Sequence, residues 1–220
     1  MQIKCMKTTP IACFLAVIAL THLGRAEGSP PTDETTAASA PAPDPYAVRP
    51  SFMIGLGQWL LWGGGNIAGQ VKVGRWVAEY SHGQALQFDR LSGFAMTHDE
   101  REAGVSVSAP WTTGGGFGFQ ITPHLHALIE LKAHRYEVRG YDPQQVARYT
   151  TFSVGPGVFY DIYLYKGLFV QPNMRFWPTV ASSYDGAARF TRPDGSTYQH
   201  ERHDLGFFVN VNLGWTFTGV

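Results

Sequence analysis

Over the last 170 residues, apolar and polar side chains alternate with a period of two. The clearest run is at the end. Phe207, Val209, Val211, Leu213, Trp215 and Phe217 share one face, and Phe208, Asn210, Asn212, Gly214 and Thr216 share the other. Leu168, Val170, Met174, Phe176 and Val180 alternate with Gln171, Asn173, Arg175 and Thr179. Leu125, Ala127, Ile129, Leu131 and Ala133 alternate with His126, Glu130, Lys132 and His134. Such a period belongs to strands, whose successive side chains point to opposite faces. It predicts eight strands, at about 51–60, 62–73, 76–87, 104–121, 125–138, 149–162, 167–181 and 203–217.

The predicted strands are long for a soluble sheet. Their connections alternate between short (Gly74-Arg75, 122–124, 163–166) and long (88–103, 139–148, 182–202). Membrane barrels have this asymmetry of turns and loops, with tilted spans of about 9–11 residues. After the N-terminal segment no window holds the 18 or more apolar residues of a spanning helix. The pattern therefore predicts an all-β fold, an eight-stranded antiparallel transmembrane β-barrel.

On these residues the chain resembles the small bacterial outer-membrane β-barrels of the OmpA, OmpX and OmpW type. The terminal strand Asn210-Val211-Asn212-Leu213-Gly214-Trp215-Thr216-Phe217 is similar to their aromatic-ended signal for the barrel-assembly machinery. The resemblance implies Trp215 and Phe217 as that signal, although Thr218-Gly219-Val220 follow where the family usually ends on the aromatic. It also implies outer-membrane lipid and lipopolysaccharide as surroundings, and a monomer.

Eight strands enclose room for side chains and no wide channel. The inward face should thus be a packed polar core of Lys72, Glu79, Glu130, Lys132, Asp161, Asn173, Arg175, Asn210 and Asn212. Its charges balance, with Glu79, Glu130 and Asp161 against Lys72, Lys132 and Arg175, as expected where unpaired charge is costly. Reflection across the 122–124 turn sets Gly114, Gly116 and Gly118 opposite Lys132, Glu130 and Leu128. Reflection across 163–166 sets Gly155 and Gly157 opposite Asn173 and Gln171, and makes Pro156 and Pro172 neighbours.

Composition adds where the chain goes. Lys4 and Lys7 precede an apolar run, Ile11–Leu23, and Gly24-Arg25-Ala26 follows, with small residues at −3 and −1 of a cut after Ala26. This reads as a signal peptide, residues 1–26, and implies export to the bacterial outer membrane. Both cysteines, Cys5 and Cys13, lie within it. Residues 27–50 hold six prolines and read as a disordered linker, leaving 51–220 for the barrel. With 17 basic and 17 acidic residues, nothing marks a nucleic-acid surface.

Candidate chemistry is sparse. His126, Glu130 and His134 recur every four residues, which on a strand separates neighbours by about 13 Å, too far for one metal. Ser81, His82 and Glu79 offer a hydroxyl, an imidazole and a carboxylate, but Ser81 and His82 are adjacent and point apart. His98, Asp99, Glu100 and Glu102, and His200, Glu201, His203 and Asp204, are expected on solvated loops. Arg192-Pro193-Asp194-Gly195 reads as a turn at the tip of the longest loop. No cofactor and no enzymatic activity are expected. The reading is a structural or interaction barrel acting through its loops. The alternatives are a narrow pore for small or apolar solutes, or a lipid A-modifying enzyme.

Overall fold

The computed structural model describes residues 47–204 and 206–217. The expected signal peptide, most of the expected linker, and residues 218–220 lie outside the described residues. The strands are β1 (Val48–Gly55), β2 (Gly65–Val73), β3 (Trp76–Gln87), β4 (Ser106–Gln120), β5 (Leu125–Arg139), β6 (Val146–Tyr160), β7 (Ile162–Tyr165), β8 (Leu168–Trp177), β9 (Thr179–Ser182), β10 (Arg189–Thr191), β11 (Thr197–Gln199) and β12 (Gly206–Thr216). Consecutive strands pair antiparallel from β1 to β6; β12 pairs with both β1 and β8, and β8 pairs with β6. The ring is closed, with eight staves: β1 to β6, β8 and β12. β7 continues β6 beyond Asp161, and β9 continues β8 beyond Pro178.

Closure leaves no edge, so ladder groups find partners without water. The alternation then sorts the side chains. On β12 and at Phe217 just after it, Phe207, Val209, Val211, Trp215 and Phe217 are exposed, while Phe208, Asn210, Asn212 and Thr216 are buried inside. On β5, Ile129 and Leu131 are exposed, whereas His126, Leu128, Glu130, Lys132 and His134 are buried. The barrel is apolar outside and polar within.

Four particulars depart from the pattern's reading. The first strand does not run to residue 60: it ends at Gly55, and Leu56–Trp62 form a helix, α1. Inward anchors at Gln58 and Trp62, four residues apart, replace the period of two. β1 also begins at Val48, inside the stretch assigned to the linker, because Val48, Arg49 and Pro50 pair with Val73, Lys72 and Val71 on β2.

The turn expected at 163–166 is tighter and later. Residues 162–165 are strand, and Lys166-Gly167 make the turn, with Lys166 at φ 46°. The register across β6 and β8 slides accordingly, so Gly157 faces Arg175 instead of Gln171. Each face survives because the slide is even. Pro156 and Pro172 are therefore not neighbours. They bracket the stretch in which β6 pairs directly with β8, Gly157–Phe159 with Asn173–Arg175; beyond it the ladder goes on through β9 on one side and β7 on the other. The other reflection holds: Gly114, Gly116 and Gly118 face Lys132, Glu130 and Leu128.

Finally, β4 changes phase midway. Its register against β5 shifts between Ser108 and Trp111, around Pro110, and Ala85 on the paired strand β3 adopts φ 56°. Above this bulge the inward residues become Val105, Val107, Ala109, Leu86 and Phe88. The lumen lining switches there from polar to apolar. Beyond it β10 and β11 form a small hairpin, tipped by Arg192–Gly195, where Gly195 N donates to Arg192 O at 2.9 Å.

Candidate functional site: the charged lumen and its cap

Each of the nine residues assigned to the lumen is buried: Lys72, Glu79, Glu130, Lys132, Asp161, Asn173, Arg175, Asn210 and Asn212. Alternation on β2, β3, β5, β8 and β12 aims eight of them at one axis, and Asp161 joins them from the break between β6 and β7. Arg175 is the hub. Its guanidinium lies 3.2 Å from Glu79, 3.3 Å from Glu130 and 3.0 Å from Asn173 Oδ1, and packs over the Phe159 ring at 4.8 Å. Lys132 reaches Glu130 at 3.4 Å and donates to Ser81 Oγ at 2.5 Å. Lys72 pairs with Asp161. Each of the three lumen cations thus has an anionic partner, the condition under which such charges are tolerated in a low-dielectric interior.

Neutral groups complete the lattice. Gln70 Nε2 donates to Glu79 at 3.1 Å, and Trp177 Nε1 donates to Glu130 at 3.0 Å. Asn210 donates to Asn212 at 2.9 Å, Asn212 to Gln171 at 2.9 Å, and Gln171 to Asp161 at 2.9 Å. Asn173 Nδ2 donates to the Gln171 carbonyl at 3.1 Å, so the two arms meet. The sequence reading missed Gln171 and Trp177 as members. Gln171 shares the phase of Asn173 and is legible from it; Trp177 points inward beside the outward Phe176, and an indole gives no polar signal in the alternation.

Glu130 needs space, and glycine supplies it. A Cβ on Gly116 would lie 2.9 Å from Glu130 Cγ, and one on Gly157 would lie 2.7 Å from Glu130 Oε2. The flanking strands are bare where the central one carries its carboxylate. Two apolar clusters, Val77–Leu128–Phe159 and Met53–Ala68–Phe169, pack beside the charges.

His126, Glu130 and His134 meet three different partners. His126 contacts Gln70 at 3.1 Å and stacks on Phe159, Glu130 joins Arg175, and His134 contacts Thr112 at 2.8 Å. Ser81 is buried while His82 is half-exposed on the outer side, so they form no dyad. His98, Asp99 and Glu102 form an exposed acidic corner.

The loops expected to be solvated instead make a core. Leu86, Phe88, Met96, Val105, Val107, Tyr136, Val138, Tyr149, Phe190 and Tyr198 are buried together over the end of the lumen where the long loops lie. Helix α2 (Ser92–Ala95) and helix α3 (His98–Glu102) belong to it, α3 fastened by a capping box between Thr97 and Glu100. Glu100 is the latch. Its Oε1 lies 3.1 Å from His203 Nδ1 and 4.0 Å from His200 Nδ1, tying the loop after β3 to the loop before β12. Tyr149 OH contacts His200 Nε2 at 3.1 Å and accepts the His203 N–H at 2.8 Å.

The closed wall, the apolar exterior and the ion-paired interior together decide the class. The chain has the fold of an eight-stranded antiparallel transmembrane β-barrel. No family model and no curated protein matches the sequence. Among solved structures the barrel is similar to a major outer membrane protein from Thermus thermophilus, at 11% identity and a TM-score of 0.44, over 78% of this chain and 100% of that one. It is also similar to the N-terminal barrel domain of Pseudomonas aeruginosa OprF, at 12% identity and a TM-score of 0.36, over 77% and 96%. A de novo designed transmembrane β-barrel matches at 11% identity and a TM-score of 0.30, over 79% and 98%.

Acid should release the latch between the capping loops of this barrel. Burial pushes the Glu100 carboxyl up, but the hydrogen bond and charge of His203 and the Thr97 N–H outweigh it and hold the group below its ordinary value. Burial pushes His200 down to about 4, against the pull of Glu100. Both groups have depressed folded values, so the stability they contribute is present above their unfolded values and is lost as pH falls. For His200 the window runs from 6.5 to about 4. Hydrogen exchange of residues 185–204, corrected for intrinsic rates, should lose protection across that window, while 206–216, which carries no titratable side chain, keeps more of it. Unchanged protection down to pH 4 would contradict the latch.

Proposed function

We propose that this protein is a structural and interaction barrel of the bacterial outer membrane, delivered by a signal peptide cleaved after Ala26. In this reading its wall meets outer-membrane lipid and lipopolysaccharide, its capped loops meet the outside, and it works as a monomer. Trp215 and Phe217, both exposed at the end of β12, serve as the signal read by the barrel-assembly machinery.

One observation carries the choice over a pore. The lumen is crossed by a charge-balanced lattice whose members are at most 5% exposed, and an aromatic core roofs it. A conduit would need water where Arg175, Glu79 and Glu130 stand. The separation of Ser81 from His82 supports the non-enzymatic reading. Planar-bilayer recording of the purified barrel at neutral pH should give no resolvable conductance steps. Steps that scale with salt concentration would overturn the proposal in favour of the narrow pore. Lipid A of unchanged mass in cells with and without the protein is the second expected result, and a mass change would favour the enzyme.

A further inference from the structure

Helix α1 stands where the upper part of a barrel stave should be. β1 has eight residues, roughly 26 Å along the strand at 3.3 Å each. A tilt of about 35–45° leaves roughly 20 Å of height, short of the apolar band of about 25 Å that such barrels present. The neighbouring stave is not short. Ile54 pairs with Leu213, and above Leu213 the outer face of β12 continues through Val211, Val209 and Phe207, all exposed. A notch would therefore open in the apolar belt above Ile54.

The sequence of α1 fits that notch. Two anchors fix how the helix is turned. Gly57 N donates to Asn210 Oδ1 at 3.0 Å, and Asn210 Nδ2 donates to Gln58 Oε1 at 3.3 Å, so Gln58 is buried in the lumen end. Trp62 packs inward on Phe88 and Phe208, with ring centroids 5.3 and 5.0 Å away. With positions 58 and 62 held inward, Trp59, Leu60 and Leu61 face out, 64%, 68% and 54% exposed. Three consecutive large apolar residues at that exposure are costly in water. Seven helical residues rise about 10 Å, enough to cover the shortfall. On the other flank Ile67 pairs with His82 and Gly65 with Gln84, so polar side chains begin near the same height. That is the border where Trp is favoured, with one edge in hydrocarbon and one in the headgroups.

We propose that α1 is a lipid-facing part of the barrel wall, with Trp59, Leu60 and Leu61 seated in the acyl chains of the bilayer leaflet on the long-loop side. On the outer-membrane barrel reading above, this placement makes α1 continuous with the lipid-facing surface and supplies the height that β1 lacks.

The test is a nitroxide at Leu60→Cys, in protein with Cys5 and Cys13 replaced by Ser, reconstituted in phosphatidylcholine vesicles. Nitroxides at Ile129→Cys, mid-belt, and Asp194→Cys, at the tip of the β10–β11 hairpin, serve as references. Leu60 is exposed, so the change removes no internal contact. Oxygen should dominate over a water-soluble nickel chelate in relaxing the label at 60, as at 129, and the order should invert at 194. Domination by the chelate at 60, with 129 still reporting lipid, would overturn the proposal and leave the barrel reading standing. Chelate access at both 60 and 129 would overturn the barrel reading itself. Spin–spin broadening at 60 that grows with the protein-to-lipid ratio would show a second copy on this face, and would also overturn lipid as its occupant.

Discussion

Replacing Arg175 by Met should lower the stability of the barrel by about 3–5 kcal/mol, the range for removing one partner from a buried ion pair. Met keeps much of the stem's volume and its packing over Phe159. The guanidinium that serves Glu79 at 3.2 Å and Glu130 at 3.3 Å is lost. Three buried carboxylates would then share Lys72 and Lys132, and Glu79 would have no cation at contact distance. The double variant Arg175→Met, Glu130→Gln restores the balance of charge and should recover part of the loss. Such non-additivity is expected of groups in one network. Exposed Glu201→Gln should stay within about 0.5 kcal/mol of the parent. Urea midpoints in detergent micelles measure these three and Glu130→Gln alone. A double variant as unstable as the sum of its single losses would show that Arg175 acts through packing and not through charge.

The same hub shows what a sequence read by alternation can and cannot reveal. Faces were legible because a period of two depends on parity alone. Glu79, Glu130 and Arg175 come from three strands far apart in the chain, yet each carried its inward phase locally. Partners were less legible, since register depends on where each turn closes. The turn at 122–124 was fixed by Pro123 and its flanks, and the glycines opposite Glu130 and Lys132 followed from it. The turn after β7 was not, because Tyr163-Leu164-Tyr165 is itself extended and only Lys166-Gly167 bends. Hence reflection across 163–166 sets Gly157 against Gln171, whereas it faces Arg175.

The cap was the least legible part. His200, His203 and Glu100 look like solvated loop residues in a linear reading, since each sits among charged neighbours. Their burial depends on a bulge at Ala85 and Pro110 that turns β3 and β4, and on loops that meet only in three dimensions. Helix α1 was hidden for a similar reason. Leu56 to Trp62 is apolar at too many positions to show a period, and its orientation is set by Asn210, more than 150 residues away.

Val211→Arg should impair the barrel about as severely as the loss of a buried charge, by roughly 2–4 kcal/mol, the cost of Arg or Lys on the lipid face near the midplane. Val211 lies near the middle of β12, on the exposed face, paired with Pro172 on β8 and flanked along the strand by Val209 and Leu213. A guanidinium there has hydrocarbon on its open side and a proline in place of a donor or acceptor side chain opposite. Its neighbour Asn212 faces the lumen, donating to Gln171 at 2.9 Å and accepting from Asn210 at 2.9 Å. Asn212→Ser would weaken two neutral hydrogen bonds at about 1 kcal/mol each and leave the lumen charge unchanged. The inserted fraction after refolding into vesicles, followed by urea midpoints of what inserts, should therefore rank Val211→Arg well below Asn212→Ser. The opposite rank would mean that β12 presents Asn210 and Asn212 to lipid. That would turn the wall inside out, since β12 is hydrogen-bonded to β1 and β8 in a register that fixes their faces as well.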